Sequence, residues 1–320
     1  MISFVLYVLL TQIHYTGTAF AQETNASMIS SNDTDSSNAI GISANSTSGD
    51  IIQENSTQSL ENETVKYYGN TSGYLVFPKS FDATLIKSNN TDSPTTTTTT
   101  TSSSSSSSLV GNKFPAVVMI HENRGLNEHI KMMADTLAKE GYVVLAVDLF
   151  NGQVATSQEY AGLLSGAVRE NPTEAIANLR AAVRYLASLG NVNPSQISSL
   201  GWCFGGQQSL QLALNTEPKY PLSSTVIYYG RLVSDPVELS KIKWPVLGIF
   251  GDQDDSISVE NVTNFKAALD SIGIPNEIYV YKGVGHAFAN PSRDSYAPDQ
   301  TADAWNKTLS FLKNSTQQVQ

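Results

Sequence analysis

A chain of 320 residues, 40% hydrophobic and 15% charged, is long enough for one large core or two modest ones. Its net charge of −10, without a basic cluster, zinc-ligand spacing or phosphate-cradling glycine loop, excludes nucleic acid as the expected partner and implies no cofactor. Its single cysteine, Cys203, excludes an intramolecular disulfide.

Residues 1–21 open with an apolar run over 2–10 and close on Ala19-Phe20-Ala21, a small-x-small pattern. They resemble a secretory signal peptide, although no Lys or Arg stands near the start. Cleavage after Ala21 and a secreted or cell-surface location are expected. An uncleaved membrane anchor is the alternative, but spanning needs about 20 apolar residues and this run is shorter. Residues 22–61 are rich in Ser, Thr and Asn, with neither basic nor aromatic side chains. Such a segment buries too little apolar surface to offset its ordering entropy and is expected to be disordered. Asn-x-Ser/Thr acceptors for N-glycans occur at Asn25, Asn32, Asn45, Asn55, Asn62, Asn70, Asn89, Asn261, Asn306 and Asn314.

Residues 65–68 and 74–77 read as paired strands around Gly69 to Gly73. After Pro94 come seven threonines and then seven serines, 95–108. A hairpin alone is marginally stable, so this tract reads as a surface insertion at about 89–110 within one domain spanning 62–313. Residues 314–320 are expected to form a C-terminal tail.

From Pro115 the pattern alternates. Apolar strands are expected at 116–120, 142–147, 197–200, 225–229, 246–250 and 277–281. Between and after them, helices are marked by Ile130, Met133, Ala134 and Leu137; by Ile176, Leu179, Val183 and Leu186; by 207–214; by Val262, Phe265 and Leu269; and by Ala302, Trp305, Leu309 and Leu312. This predicts an α/β fold with a mostly parallel sheet covered on both faces. Sites in such sheets form at the carboxyl ends of the strands.

Residues 201–206 read Gly-Trp-Cys-Phe-Gly-Gly between an expected strand and an expected helix. This fits Gly-x-nucleophile-x-Gly, the turn that lifts a reactive side chain off a strand end. A helix start behind the sulfur favours negative charge there. The plainer reading is a buried structural cysteine, the usual fate of a free thiol. Partners for a nucleophile are present. Gly251-Asp252-Gln253-Asp254-Asp255-Ser256-Ile257 offers three acids after a strand; Asp254 has the favoured spacing, with Asp252 and Asp255 as solvated loop acids. His286 follows in Gly285-His286-Ala287-Phe288. The order Cys203, Asp254, His286 is that of the α/β-hydrolase triad, while His121 and His129 precede the nucleophile. Backbone N–H groups of Phe204 and Asn123 are the expected oxyanion donors. Glu122 reads either as the group holding the resting thiol proton or as a structural charge paired with Arg124.

Taken together, His121 to Leu126, Asp148-Leu149-Phe150, 201–206, Tyr228-Tyr229-Gly230, 251–254 and 285–288 resemble the dienelactone hydrolase family over about residues 62–313. The resemblance implies an α/β-hydrolase fold and a Cys203-Asp254-His286 triad that opens enol-lactones. It also implies that Glu122 interacts with the resting cysteine until substrate displaces it. The chain departs from the family at the arginines that hold the substrate carboxylate. Asn290 stands where the dienelactone enzyme has one, 151–165 offers no match, and Arg169 and Arg293 are the substitutes at hand. The expected protein is a monomeric hydrolase of lactones or small esters. The competing readings are a non-catalytic surface or binding protein on the same scaffold, and an acyltransferase or peptidase.

Overall fold

The computed structural model describes residues 59–81 and 113–317. The expected signal peptide, most of the 22–61 segment, the Thr/Ser tract, and Asn25, Asn32, Asn45, Asn55 and Asn89 lie outside the described residues.

An eight-stranded sheet organises the rest. In chain order the strands are β1 (Leu60–Tyr68), β2 (Thr71–Pro78), β3 (Phe114–Ile120), β4 (Val143–Val147), β5 (Val192–Trp202), β6 (Ser224–Tyr228), β7 (Val246–Gly251) and β8 (Asn276–Tyr281). Their spatial order is β1-β2-β4-β3-β5-β6-β7-β8. The β1–β2 hairpin runs antiparallel and joins the sheet antiparallel through β4; the other pairs are parallel. Strands on both sides of the Thr/Ser tract therefore lie in one sheet.

The helices are α1 (Glu128–Lys139), α2 (Gln158–Glu170), α3 (Pro172–Ser188), α4 (Phe204–Leu214), α5 (Pro236–Leu239), α6 (Val259–Ser271) and α7 (Pro298–Gln317). Alternate strand residues face opposite sides, and both sides are apolar. Val118, Ile120, Leu145 and Val147 pack in the layer containing Leu179, Leu210 and Phe265 of α3, α4 and α6. Val117, Met119, Val144 and Leu200 pack with Ile130, Leu137, Phe311 and Leu312 of α1 and α7. Truncating one such buried leucine to alanine costs about 2–5 kcal/mol. Side-chain caps start α1 and α6: Asn127 accepts from Ile130 N at 3.2 Å, and Ser258 from Asn261 N at 3.2 Å.

Several expectations need correction. The sheet begins at Leu60, which pairs with Pro78, so the ordered domain reaches two residues into the segment expected to be disordered. At the other end α7 runs to Gln317, through residues expected to form a tail. Ser315 is buried there, and the carbonyl of Thr316 accepts from Gln196 Nε2 at 2.6 Å. The buried face of α7 is Ala304, Thr308, Phe311, Leu312 and Ser315, with Ala302 exposed. Hydroxyl groups fit that face because Thr308 and Ser315 donate back to the carbonyls of Ala304 and Phe311. Helix α2 has no counterpart in the sequence reading. It fully buries only Ala161 and Ser165, with Leu164 and Val168 partly buried beside them, a stripe at helical spacing in which the small and polar members weaken the apolar signal.

Candidate active site

The strand-to-helix turn at Cys203 is built by close backbone approach. Cys203 has φ of 55°, an unfavourable conformation for a side chain bearing Cβ, and caps α4. Its N–H donates to Tyr228 O at 2.9 Å, and its carbonyl accepts from Gln207 N at 3.1 Å. The glycines make room. A Cβ on Gly205 would lie 2.3 Å from Ile120 O, and one on Gly201 would lie 2.2 Å from Gly205 O.

Two further loops meet the sulfur. After β7, Asp254 is buried and its Oδ1 accepts from Ser256 N at 2.8 Å and Ile257 N at 3.0 Å. Its Oδ2 lies 2.8 Å from His286 Nδ1, and His286 Nε2 lies 3.1 Å from Cys203 Sγ. Gln253 N donates to Val284 O at 3.0 Å and Asp252 accepts from Gly283 N at 2.7 Å, so the acid and histidine loops are tied together. Asp252 and Asp255 are exposed, and neither faces the imidazole. Burial disfavours the charged form of His286, but hydrogen bonds and charge from Asp254 and Cys203 outweigh it and raise its pKa to about 10. Burial likewise opposes the Asp254 charge; the His286 hydrogen bond and charge and the two backbone donors prevail and lower its pKa.

The loop after β3 lies on the other side of the sulfur. His121 is fully buried, with Nδ1 donating to Glu122 O at 2.6 Å and Nε2 accepting from Leu149 N at 3.1 Å. Those bonds need the neutral ring, and burial lowers its pKa accordingly. His121 is thus a brace between the ends of β3 and β4, packed against Phe150 and Phe204. Glu122 departs from both sequence readings. Its Oε2 accepts from Asn290 Nδ2, while Oε1 has no hydrogen-bond partner, so it holds neither the thiol of Cys203 nor a salt bridge to Arg124. The amide of Asn290 occupies the carboxylate, and the imidazole of His286 occupies the sulfur. Burial raises the pKa of Glu122, moderated by the charge of Arg293 and the Asn290 hydrogen bond.

These loops enclose a cleft of about 530 Å³ lined by Asn123, Cys203, Phe204, Tyr229 and His286 among others. Arg169, Arg231 and Arg293 also line it. Arg169 donates to Gln207 Oε1 at 3.0 Å and Ser165 Oγ at 3.2 Å, and its guanidinium lies 5.4 Å from the Phe204 ring centroid. Burial and the charge of Arg231 lower its pKa. None of the three arginines forms an ion pair with an acid among the described residues. Arg231 escaped the sequence reading. The available signal was its place, directly after Tyr228-Tyr229-Gly230 at the end of β6. A second hollow, about 210 Å³ beneath α2 and α3, contains no nucleophile. Among the described residues no group of three or more His, Cys, Asp or Glu is placed to hold a metal ion.

Comparisons with known proteins identify the family and the fold. The profile of the dienelactone hydrolase family matches residues 102–316. Protein usf of Aquifex pyrophilus is 32% identical over 206 residues, covering 62% of this chain and 87% of that protein. A Methylorubrum extorquens protein named "Putative carboxymethylenebutenolidase" is 31% identical over 215 residues, covering 63% of this chain and 73% of its own. The dienelactone hydrolase-like promiscuous phosphotriesterase P91 from metagenomic libraries superposes with a TM-score of 0.64 at 18% identity, covering 80% of this chain and 98% of that one, which establishes the fold. The chain is an α/β-hydrolase belonging to the dienelactone hydrolase family.

Proposed function

We propose that the protein hydrolyses a lactone or small carboxylic ester through Cys203, with His286 and Asp254 completing the triad. The observation that carries this reading is the continuous chain Asp254 Oδ2, His286 Nδ1, His286 Nε2, Cys203 Sγ, with separations of 2.8 and 3.1 Å. The sulfur attacks the carbonyl carbon, and the oxyanion is received by the N–H groups of Phe204 and Asn123, both of which line the cleft. The imidazolium, favoured by Asp254, protonates the departing alkoxide from Nε2. Neutral His286 then takes a proton from water, the hydroxide attacks the acyl-Cys203, and collapse releases the carboxylic acid. The proton left on Nε2 restores the starting pair.

Arg169, Arg231 and Arg293 support a substrate bearing a carboxylate, because they line the cleft and none of them forms an ion pair with an acid among the described residues. These would stand in for the family's arginine at 290: Arg169 from α2, Arg231 from the loop after β6, and Arg293 from the same segment as Asn290. The test is a panel of lactones and esters, with and without a carboxylate, against wild type and Cys203→Ala. Cys203→Ala is expected to lower kcat by about 10⁴-fold or more while the fold persists. Turnover retained in the folded variant would refute the cysteine mechanism. Export through residues 1–21 belongs to the same proposal, as do glycans on Asn62, Asn70, Asn261, Asn306 and Asn314, whose side chains are all exposed. Intact mass of the protein recovered from its native host tests both, an unprocessed and unmodified chain being the contrary result.

A further inference from the structure

Two consecutive residues of the loop after β3 are gripped from one short segment before α7. Asn290 Nδ2 donates to Glu122 Oε2, and Arg293 Nη2 donates to Asn123 Oδ1 at 3.2 Å. The gripping segment is itself fixed. Asn290 Oδ1 accepts from Ser292 N at 2.9 Å and Ser292 Oγ at 2.8 Å, which leaves its NH₂ group turned toward Glu122. Arg293 N donates to Asn290 O at 3.0 Å, setting the guanidinium one turn beyond. Asn290 and Glu122 are both 3% exposed, so their bond is made without competition from solvent. Glu122 Oε1 has no hydrogen-bond partner, so this carboxylate depends on Asn290.

We propose that Asn290, assisted by Arg293, is a positioning residue for the oxyanion side of this site, holding Glu122 so that the N–H of Asn123 faces Cys203. The inference rests on the hydrolase reading for its catalytic consequence. A 1 Å misplacement of a donor is enough to slow a reaction strongly, whereas binding of the substrate's remote parts is untouched. Glu122 serves here as a hydrogen-bond acceptor, and the Cys203–His286 pair forms independently of it.

The test compares wild type with Asn290→Leu, which keeps the bulk and removes the amide, and Glu122→Gln, which keeps an acceptor and removes the charge. Two quantities are read: deuterium exchange of the backbone over 121–126, and kcat and KM on one ester. Asn290→Leu is expected to speed exchange of this loop and to lower kcat about tenfold to a hundredfold with little change in KM. Glu122→Gln is expected to leave loop exchange closer to wild type than Asn290→Leu does, because the Asn290 amide keeps an acceptor. Should Asn290→Leu fail to fold, Asn290→Ser removes the reach of the amide with a smaller change in shape. Unchanged loop exchange in the folded Asn290 variant would overturn the proposal. So would unchanged kcat with faster exchange, or loop exchange in Glu122→Gln as fast as in Asn290→Leu. If wild type hydrolysed no ester, the hydrolase reading would fall, and the exchange comparison would still decide the clamp.

Discussion

The two sides of the cleft are held by different means. On the Cys203 side the backbone itself is the scaffold: carbonyls of Ile120 and His121 press against Gly205, and Cys203 sits at positive φ between β5 and α4. On the arginine side, Arg231 is exposed, and Arg169 rides on α2, a helix that buries only Ala161 and Ser165. Reaction chemistry needs atoms fixed to fractions of an ångström, and close-packed backbone provides that. Recognition of a charged group tolerates longer, adjustable side chains at the surface. Changes on the first side should therefore remove the fold or kcat, and changes on the second should move KM.

Gly205→Ala is the strongest challenge to that division. Its Cβ would stand 2.3 Å from Ile120 O and 2.5 Å from His121 O, both backbone atoms that cannot swing aside. The expected loss is at least about 3 kcal/mol of stability, measured by urea unfolding, or failure to fold at all. A variant as stable as wild type would mean that the turn yields where it looks rigid. Next in size is His286→Ala, which leaves the backbone alone. It should lower kcat about 10⁴-fold while the thermal midpoint stays within a few degrees, because His286 is partly exposed and its partners are local.

The same division governs what could be read from the chain. The Cys203 turn was legible because its glycines stand at fixed spacing around the cysteine; Gly201 is demanded within the turn by Gly205 O, while Gly205 and Gly206 are demanded by the neighbouring strand ends at Ile120 and Tyr228. Asp254 and His286 were legible because each closes a short polar loop after an apolar strand. The sheet was legible from runs such as Val143–Val147, in which all five residues are buried. Helix α2 was hard to see, since two of its four core-facing residues, Ala161 and Ser165, are small or polar beside Leu164 and Val168, while Leu163 is exposed on another face. The partner of Glu122 was hidden for another reason. Asn290 lies 168 residues away, and only the register of the whole fold brings the two together. Arg231 shared that difficulty, because a lone arginine beyond a strand becomes informative only when Arg169 and Arg293 arrive beside it.

Arg231→Ala sharpens the recognition half. Removing one charge-assisted contact to a carboxylate should raise KM about tenfold for an acid-bearing ester and leave kcat unchanged. The neutral methyl ester of the same acid should show no change, and wild type should lose its preference for the acid form as ionic strength rises. Equal KM effects on the charged and neutral substrates would place Arg231 outside recognition and return that side of the cleft to a structural role.

The smallest expected effect is a pH dependence of stability, and it separates the electrostatics of the Asp254–His286 pair from the packing around it. Asp254 is held below its ordinary value of 3.8, so its contribution is present above about 3.8 and is lost as pH falls through the lower folded value. His286 is raised from 6.5 to about 10, so its contribution is complete below 6.5 and is lost as pH rises through about 10. Both contributions are therefore in place together only between about pH 4 and 6.5. Asp254→Asn removes the carboxylate charge and, with it, the strongest partner of the imidazolium. The stability difference between wild type and Asp254→Asn, from urea unfolding at a series of pH values, should be greatest in that window and shrink on either side. A difference that stays flat from pH 3 to pH 10 would mean that Asp254 contributes through its hydrogen bonds to Ser256 and Ile257 alone, which the asparagine carbonyl can also accept.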